Sequence, residues 1–264
     1  MSTFRVIPTG DAAPIGSVIP RRFVDDPRLV VSHNPGSPLA ERYRRLRMRL
    51  DQGTSEGSLP LQATLITSAV PGEGKTTTAL NLALAYAESM KRPTLLIDGD
   101  LRRPSVSRYI RPEPSFGLSE ILAGEALLDH ALIEMSGSRL WVLPAGTQRE
   151  RALQLLESER LDGLIAELRS RFDRIVIDAP PTVPFTDAAV LASHADGTLL
   201  VVRARTTAKS LIWRAVESLS GSGVLGVVLN DVEFTIVDRY YNRYDDYQPG
   251  RYAYSGENDL PARP

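Results

Sequence analysis

From residue 61 onward, short apolar runs rich in β-branched residues alternate with amphipathic stretches. The runs 63–67, 94–98, 140–144, 174–178, 198–202 and 224–229 predict strands. Residues 75–90, 186–194 and 208–219 predict helices, with a weaker helical region at 118–122. Across 152–172, Leu161, Leu164, Ile165, Leu168 and Phe172 fall on one face at helical spacing. Near-continuous apolar strands separated by helices predict an α/β fold. Its sheet is doubly wound and mostly parallel, with helices on both faces.

The flanks follow other patterns. Residues 1–36 carry Pro8, Pro14, Pro20, Pro27 and Pro35 with no periodicity, which predicts a disordered arm. Residues 38–51, PLAERYRRLRMRLD, predict a basic helix ended by Gly53, followed by a linker to residue 60. The expected organisation is an arm at 1–36, one domain at 37–233 that opens with helix 38–51, and a flexible tail at 234–264.

Composition narrows the function. Lys and Arg total 31 against 32 Asp and Glu, which argues against a surface built for nucleic acid or anionic lipid. The absence of cysteine excludes disulfides, zinc-thiolate sites, Fe–S clusters and thiol nucleophiles. No apolar run approaches the ~18–20 residues that span a bilayer. The N-terminus lacks a basic segment followed by an apolar one. A cytoplasmic chain is expected. Tyrosine is skewed: of nine, six are Tyr240, Tyr241, Tyr244, Tyr247, Tyr252 and Tyr254. Arg239, Arg243 and Arg251 interleave with them, as in segments that stack on single-stranded nucleic acid. Asp238, Asp245 and Asp246 cancel that charge, so no nucleic-acid partner is expected.

The first predicted strand runs into SAVPGEGKTTTALNLA. Ala69–Thr76 has the phosphate-loop spacing A-x-x-x-x-G-K-T, with Ala at the first Gly position. Pro71, Gly72, Glu73, Gly74, Lys75, Thr76 and Thr77 form the candidate nucleotide cradle. The glycines let backbone N–H groups turn toward phosphate oxygens. Lys75 reaches the β- and γ-phosphates, and the Thr76 hydroxyl suits Mg²⁺. The helix that follows directs its positive end at the anion. A dinucleotide site fits less well, because Thr77 occupies the third Gly position of that fingerprint.

Two further strands end in acids. In TLLIDGDLRRP, Asp98 and Asp100 stand at a strand's C-terminal end, where open α/β sheets place ligands. One acid can take a proton from a nucleophile while the other holds Mg²⁺ or its water. Arg102 and Arg103 can neutralise phosphate or pair with these acids. In FDRIVIDAPP, Asp178 is suited to orienting Mg²⁺. Asp173 reads as a surface or cap residue, and Asp187 as a helix N-cap. Asn230 can hydrogen-bond an adenine or cap a turn.

Together, AVPGEGKT, LLIDGDLRRP and IVIDAPP resemble the bacterial tyrosine kinases (BY-kinases) of capsule and exopolysaccharide export. The resemblance covers about residues 37–233 plus the tail. It implies a P-loop NTPase fold and an ATP- and Mg²⁺-dependent protein-tyrosine autokinase. Lys75, Asp98, Asp100 and Asp178 would be catalytic, and Thr76, Asp98 and Asp178 would hold the metal, with Asp98 the proton acceptor. The six tail tyrosines would accept phosphate in trans. Glu41-x-x-Arg44-x-x-Arg47 would help assemble a ring-like homo-oligomer. A separate membrane polysaccharide co-polymerase would recruit the chain to the inner face of the membrane and activate it, and a cognate tyrosine phosphatase would reverse the reaction. Gly99 departs from the family's usual small non-Gly residue, and is expected to loosen its turn. Partition and cell-division ATPases share the loop, but they carry a second Lys where this chain has Val70 and lack a tyrosine cluster. A nucleotide-binding scaffold without catalysis is the remaining alternative.

Overall fold

The computed structural model describes residues 21–52, 61–88 and 93–232. The six tail tyrosines expected to accept phosphate, residues 1–20 and most of the expected linker lie outside the described residues. In chain order the elements are β1 (Arg22–Phe23), α1 (Val30–His33), α2 (Pro38–Asp51), β2 (Ala63–Ser68), α3 (Lys75–Ala87) and β3 (Thr94–Asp98). A 3-10 turn (Val106–Tyr109), β4 (Ile110–Arg111), α4 (Leu118–Ala123), α5 (Leu128–Ala131), β5 (Ile133–Glu134) and β6 (Leu140–Leu143) follow. The chain continues through α6 (Ala152–Leu156), α7 (Glu159–Arg171), β7 (Arg174–Asp178), α8 (Asp187–Ala192), β8 (Gly197–Arg203), α9 (Lys209–Ser218) and β9 (Val224–Asn230).

Seven strands form one sheet in the order β5-β6-β3-β7-β2-β8-β9. All neighbours are parallel except β5 against β6. Every residue of β2, β3 and β7 is buried, as expected of strands covered on both faces. Leu65, Leu95, Ile97, Ile175, Ile177 and Leu200 pack on one side with residues of α4 and α6–α9. Ile66, Leu96, Val176, Leu199 and Val201 pack on the other with α3. Strand order places the C-terminal ends of β2, β3 and β7 side by side, so their loops converge. Among the described residues, no helix is long and apolar enough to cross a membrane.

The arm expectation needs correction over residues 21–36. Strand β1 pairs antiparallel with β4, and Leu29 and Val31 are buried. The buried Asn81 of α3 organises the segment. Its Oδ1 accepts the Val31 N–H at 3.1 Å, and its Nδ2 donates to the Arg28 and Thr77 carbonyls, both at 2.8 Å. The expected helix 152–172 is two helices. Ser158 is extended (φ −79°, ψ 146°), and its hydroxyl donates to the Leu155 carbonyl at 2.6 Å, ending α6 before α7 begins.

Helix α2 matches residues 38–51, with Ser37 Oγ accepting the Ala40 N–H at 3.1 Å and Pro38 in the first turn. Arg44 makes two 2.7 Å hydrogen bonds to Glu88 and approaches Glu41 at 3.5 Å. Arg47 donates to the Ala85 carbonyl at 3.0 Å. These residues thus fasten α2 to the end of α3 within one chain.

Candidate active site

The loop between β2 and α3 turns on two glycines in the left-handed region, Gly72 (φ 85°) and Gly74 (φ 93°). A β-carbon at Gly74 would also collide with the Asn230 side-chain amide. The chain enters α3 immediately, leaving the helix's first N–H groups without intrahelical acceptors at the strand ends. Asn230 itself, at the end of β9, donates Nδ2 to the Glu73 carbonyl at 2.9 Å. Glu73 is buried, and its carboxylate turns away from the cradle to bind N–H and hydroxyl donors behind the loop. Its side chain is therefore not a nucleotide ligand, which leaves only its backbone N–H to face a phosphate.

Lys75 stands at the centre. Its Nζ lies 3.0 Å from Asp100 Oδ2, 3.8 Å from Asp178 Oδ1 and 3.5 Å from Thr76 Oγ1. Burial works against its charge, but the carboxylates of Asp178 and Asp100 outweigh this and raise its pKa above the ordinary value. Lys75 is a cation at neutral pH and lies among the acids.

Asp98 and Asp178 are direct neighbours across the parallel pair β3–β7. Asp98 is fully buried. Its Oδ2 accepts the N–H groups of Ser105 (3.0 Å) and Val106 (2.9 Å), and its Oδ1 accepts that of Asp100 (3.1 Å). Burial raises its pKa despite these donors. These bonds fold the segment 98–106 around the carboxylate. Backbone donors take three of the roughly four acceptor positions of the Asp98 carboxylate, which leaves one, on Oδ1, for the expected cation or for a proton.

Asp178 is also fully buried, yet neither carboxylate oxygen has a hydrogen-bond partner. Burial pushes its pKa up to about 7, against the pull of Lys75. Asp100 completes the group. Its Oδ1 accepts the Arg103 N–H at 2.9 Å and its Oδ2 faces Lys75.

Three neighbours complete the picture. Ser105, which the sequence reading missed, has its hydroxyl 3.0 Å from that of Thr76. Its place after Pro104, at the start of a 3-10 turn, was the available signal. Asp187 is not a cap: Thr186 holds that position, while both Asp187 oxygens take Arg102 Nε at 3.1 Å. Arg102 also stacks over Phe185, 4.5 Å from the ring centroid. Gly99 does not loosen its turn. Its N–H bonds the Asp178 carbonyl at 2.7 Å, and a β-carbon there would lie 2.7 Å from Leu191 Cδ1.

A buried carboxylate that makes no hydrogen bond and has only Lys75 at 3.8 Å for a counter-charge, beside a threonine hydroxyl and a phosphate loop, fits a hard divalent cation. Among the described residues, no group of three or more acidic or histidine side chains forms a metal cage. Mg²⁺ ordinarily keeps waters and phosphate oxygens in its shell instead of an all-protein cage.

The glycine loop, its lysine and the carboxylate strand ends define a P-loop NTPase. Residues 65–219 match the AAA domain family (AAA_31). The chain is 31% identical to the tyrosine-protein kinase YwqD of Bacillus subtilis (strain 168), over 83% of this chain and 93% of that one. It is 36% identical to the succinoglycan biosynthesis transport protein ExoP of Rhizobium meliloti (strain 1021), over 85% of this chain, and spans 29% of ExoP's length. The solved chimerical protein CapA2B2 superposes with a TM-score of 0.71 at 28% identity, covering 83% of this chain and 96% of that one. The septum site-determining protein MinD of Pyrococcus horikoshii OT3, complexed with Mg-ADP, gives a TM-score of 0.53 at 26% identity, covering 64% and 69%. The chain belongs to the bacterial tyrosine kinases of capsule and exopolysaccharide systems, and is a protein-tyrosine kinase.

Proposed function

We propose that this kinase transfers the γ-phosphoryl group of Mg-ATP to the tyrosines of its own C-terminal tail, in a neighbouring copy. The observation that carries the reading is Lys75 held between the buried carboxylates of Asp100 and Asp178, behind a left-handed glycine loop. The loop's N–H groups and Lys75 bind the phosphates, and Lys75 exchanges its Asp100 contact for phosphate oxygens. Thr76 and Asp178 would hold Mg²⁺, with Asp100 beside them. When bound, the cation would draw off the charge of the transferring group. The relative complexed with Mg-ADP supports this pairing of nucleotide and cation.

A tyrosine hydroxyl has an ordinary pKa near 10 and gains from a base. Asp98 takes that role. Its Oδ1 retains one acceptor position, and burial raises its proton affinity. The segment 99–104 must part for the hydroxyl to arrive. The tail is the natural acceptor, because Tyr86 and Tyr109 are buried and Tyr43 packs among core residues. Full modification of six tyrosines would add about −9 to −12 charges, favouring departure of the tail from the site.

Assembly into a ring through Glu41, Arg44 and Arg47, recruitment by a membrane co-polymerase and reversal by a phosphatase complete the proposal. Charge reversal at Glu41 and Arg44 should shift the size-exclusion profile to monomer, and an unchanged profile counts against the ring. The main test is mass spectrometry of the tail after incubation with Mg-ATP. Phosphotyrosine in the wild type and none in Lys75→Met is expected. Equal modification in both would refute the role of the loop.

A further inference from the structure

Glu73 has no task in the phosphoryl transfer. It lies in the phosphate loop, where a carboxylate aimed at the ligand would repel it. The side chain is only 2% exposed and faces the other way. Its Oε2 accepts the Val70 N–H, inside the loop, at 2.9 Å. Its Oε1 accepts the Arg203 N–H at 3.3 Å and the Thr207 hydroxyl. Its carbonyl accepts Asn230 Nδ2 at 2.9 Å. Arg203 ends β8 and Asn230 ends β9, so one residue ties the loop to two strand ends more than a hundred residues away in sequence.

We propose that Glu73 is a positioning residue, whose buried carboxylate clamps the phosphate loop to the end of β8 while its backbone carbonyl holds Asn230 at the end of β9, so that the cradle is formed before nucleotide arrives. The chemistry favours an anion here. Three donors converge on two oxygens, and an ionised acceptor makes the stronger bonds. The loop also needs such a clamp. Its two left-handed glycines give the unbound backbone many alternatives, and ordering it at the moment of binding would weaken affinity. Glutamine preserves size but only part of the clamp. In either orientation its amide NH₂ opposes a backbone N–H, at Val70 or at Arg203.

The inference rests on the nucleotide reading of the loop, and its test separates the two. The full chain is compared with Glu73→Gln, Glu73→Ala, Thr207→Val and the double variant Glu73→Ala/Thr207→Val. Mg-ADP binding by calorimetry, the thermal midpoint without nucleotide, and KM and kcat for tail phosphorylation are measured. Glu73→Ala should raise the Mg-ADP Kd and the ATP KM about tenfold or more, and Glu73→Gln should restore part of the loss. With kcat at saturating ATP within about threefold of wild type, the lost interaction is one of binding, not of the chemical step. Thr207→Val should weaken binding less, and add nothing in the Glu73→Ala background.

A folded Glu73→Ala variant with a Kd within twofold of wild type would overturn the inference. So would additive effects that track the thermal midpoint alone, which mark general stability. Should Glu73→Ala fail to fold, Glu73→Gln and Thr207→Val carry the same test. A wild-type chain that binds no Mg-ADP would overturn this inference and the nucleotide reading together.

Discussion

The ends of β3 and β7 look alike in sequence, each an apolar run closing on an aspartate, and lie side by side in the sheet. They do different work. Asp98 is encircled by three backbone N–H groups and shapes the segment that follows it. Asp178 is equally buried and has no hydrogen-bond partner. A buried carboxylate with backbone donors is part of the architecture, whereas one without them costs the fold free energy and stands ready for a ligand. Identical side chains at identical strand positions acquire their roles from the loops that follow.

Exchanging the two acids for amides should separate these roles. The largest effect is expected from Asp178→Asn. Cation stabilisation of the transferring group is worth several kcal/mol, so phosphotyrosine formation should fall at least about a hundredfold. Without Mg²⁺ the stability of the folded chain to urea should change little, because the amide gives up the Lys75 ion pair but also a buried charge that no hydrogen bond satisfies. A clear loss of metal-free stability would place Asp178 in the architecture after all.

Asp98→Asn should match that loss of activity and differ in stability. It sets an NH₂ against backbone donors, so urea unfolding should show a loss of about 2 kcal/mol. Phosphotyrosine should disappear while Mg-ADP still binds. Retention of both stability and activity would dissolve the contrast between the strands.

Glu120 supplies the smallest test, as a carboxylate of the encircled kind outside the Lys75 cluster, with Arg149 3.3 Å away. It accepts the N–H groups of Gly117 and Thr147 at 2.8 and 3.0 Å and the Ser119 hydroxyl at 2.9 Å. Burial opposes its charge, but these donors win and lower its pKa below the ordinary 4.5. Its stabilisation is therefore complete above pH 4.5 and lost as pH falls through the lowered value. Glu120→Gln should cost about 1 kcal/mol at pH 7. The difference from wild type should shrink on acidification below pH 4.5, as followed by urea unfolding. A difference that does not change with pH would assign the effect to packing.

The strands β3 and β7 are legible in the sequence to the residue, because strands buried on both faces must be apolar throughout and Asp marks where they stop. The phosphate loop is legible because its glycines and lysine are constrained by local geometry. Residues 21–36 are not, since their order comes from Asn81 on a distant helix, which no local pattern records. The break between α6 and α7 is hidden because apolar spacing continues past Ser158. Glu73 reads as one more loop residue until Arg203 and Thr207 are seen behind it, and the difference between Asp98 and Asp178 lies in backbone donors that have no letter in the sequence.

The turn after β9 fixes where the tail departs. Asp231 adopts a left-handed conformation (φ 55°), and its carboxylate pairs with Arg203 at 2.7 Å, at the same end of the sheet as the phosphate loop. Tyr240 lies eight residues beyond Val232, a covalent reach of up to about 28 Å. In the proposed reaction, a tether of that length would present the hydroxyls to their own site at an effective concentration of order millimolar. The proposed selection of a neighbour's site would then come from how an assembly orients its members, and the rate of tail phosphorylation per chain should hold on dilution until that assembly dissociates.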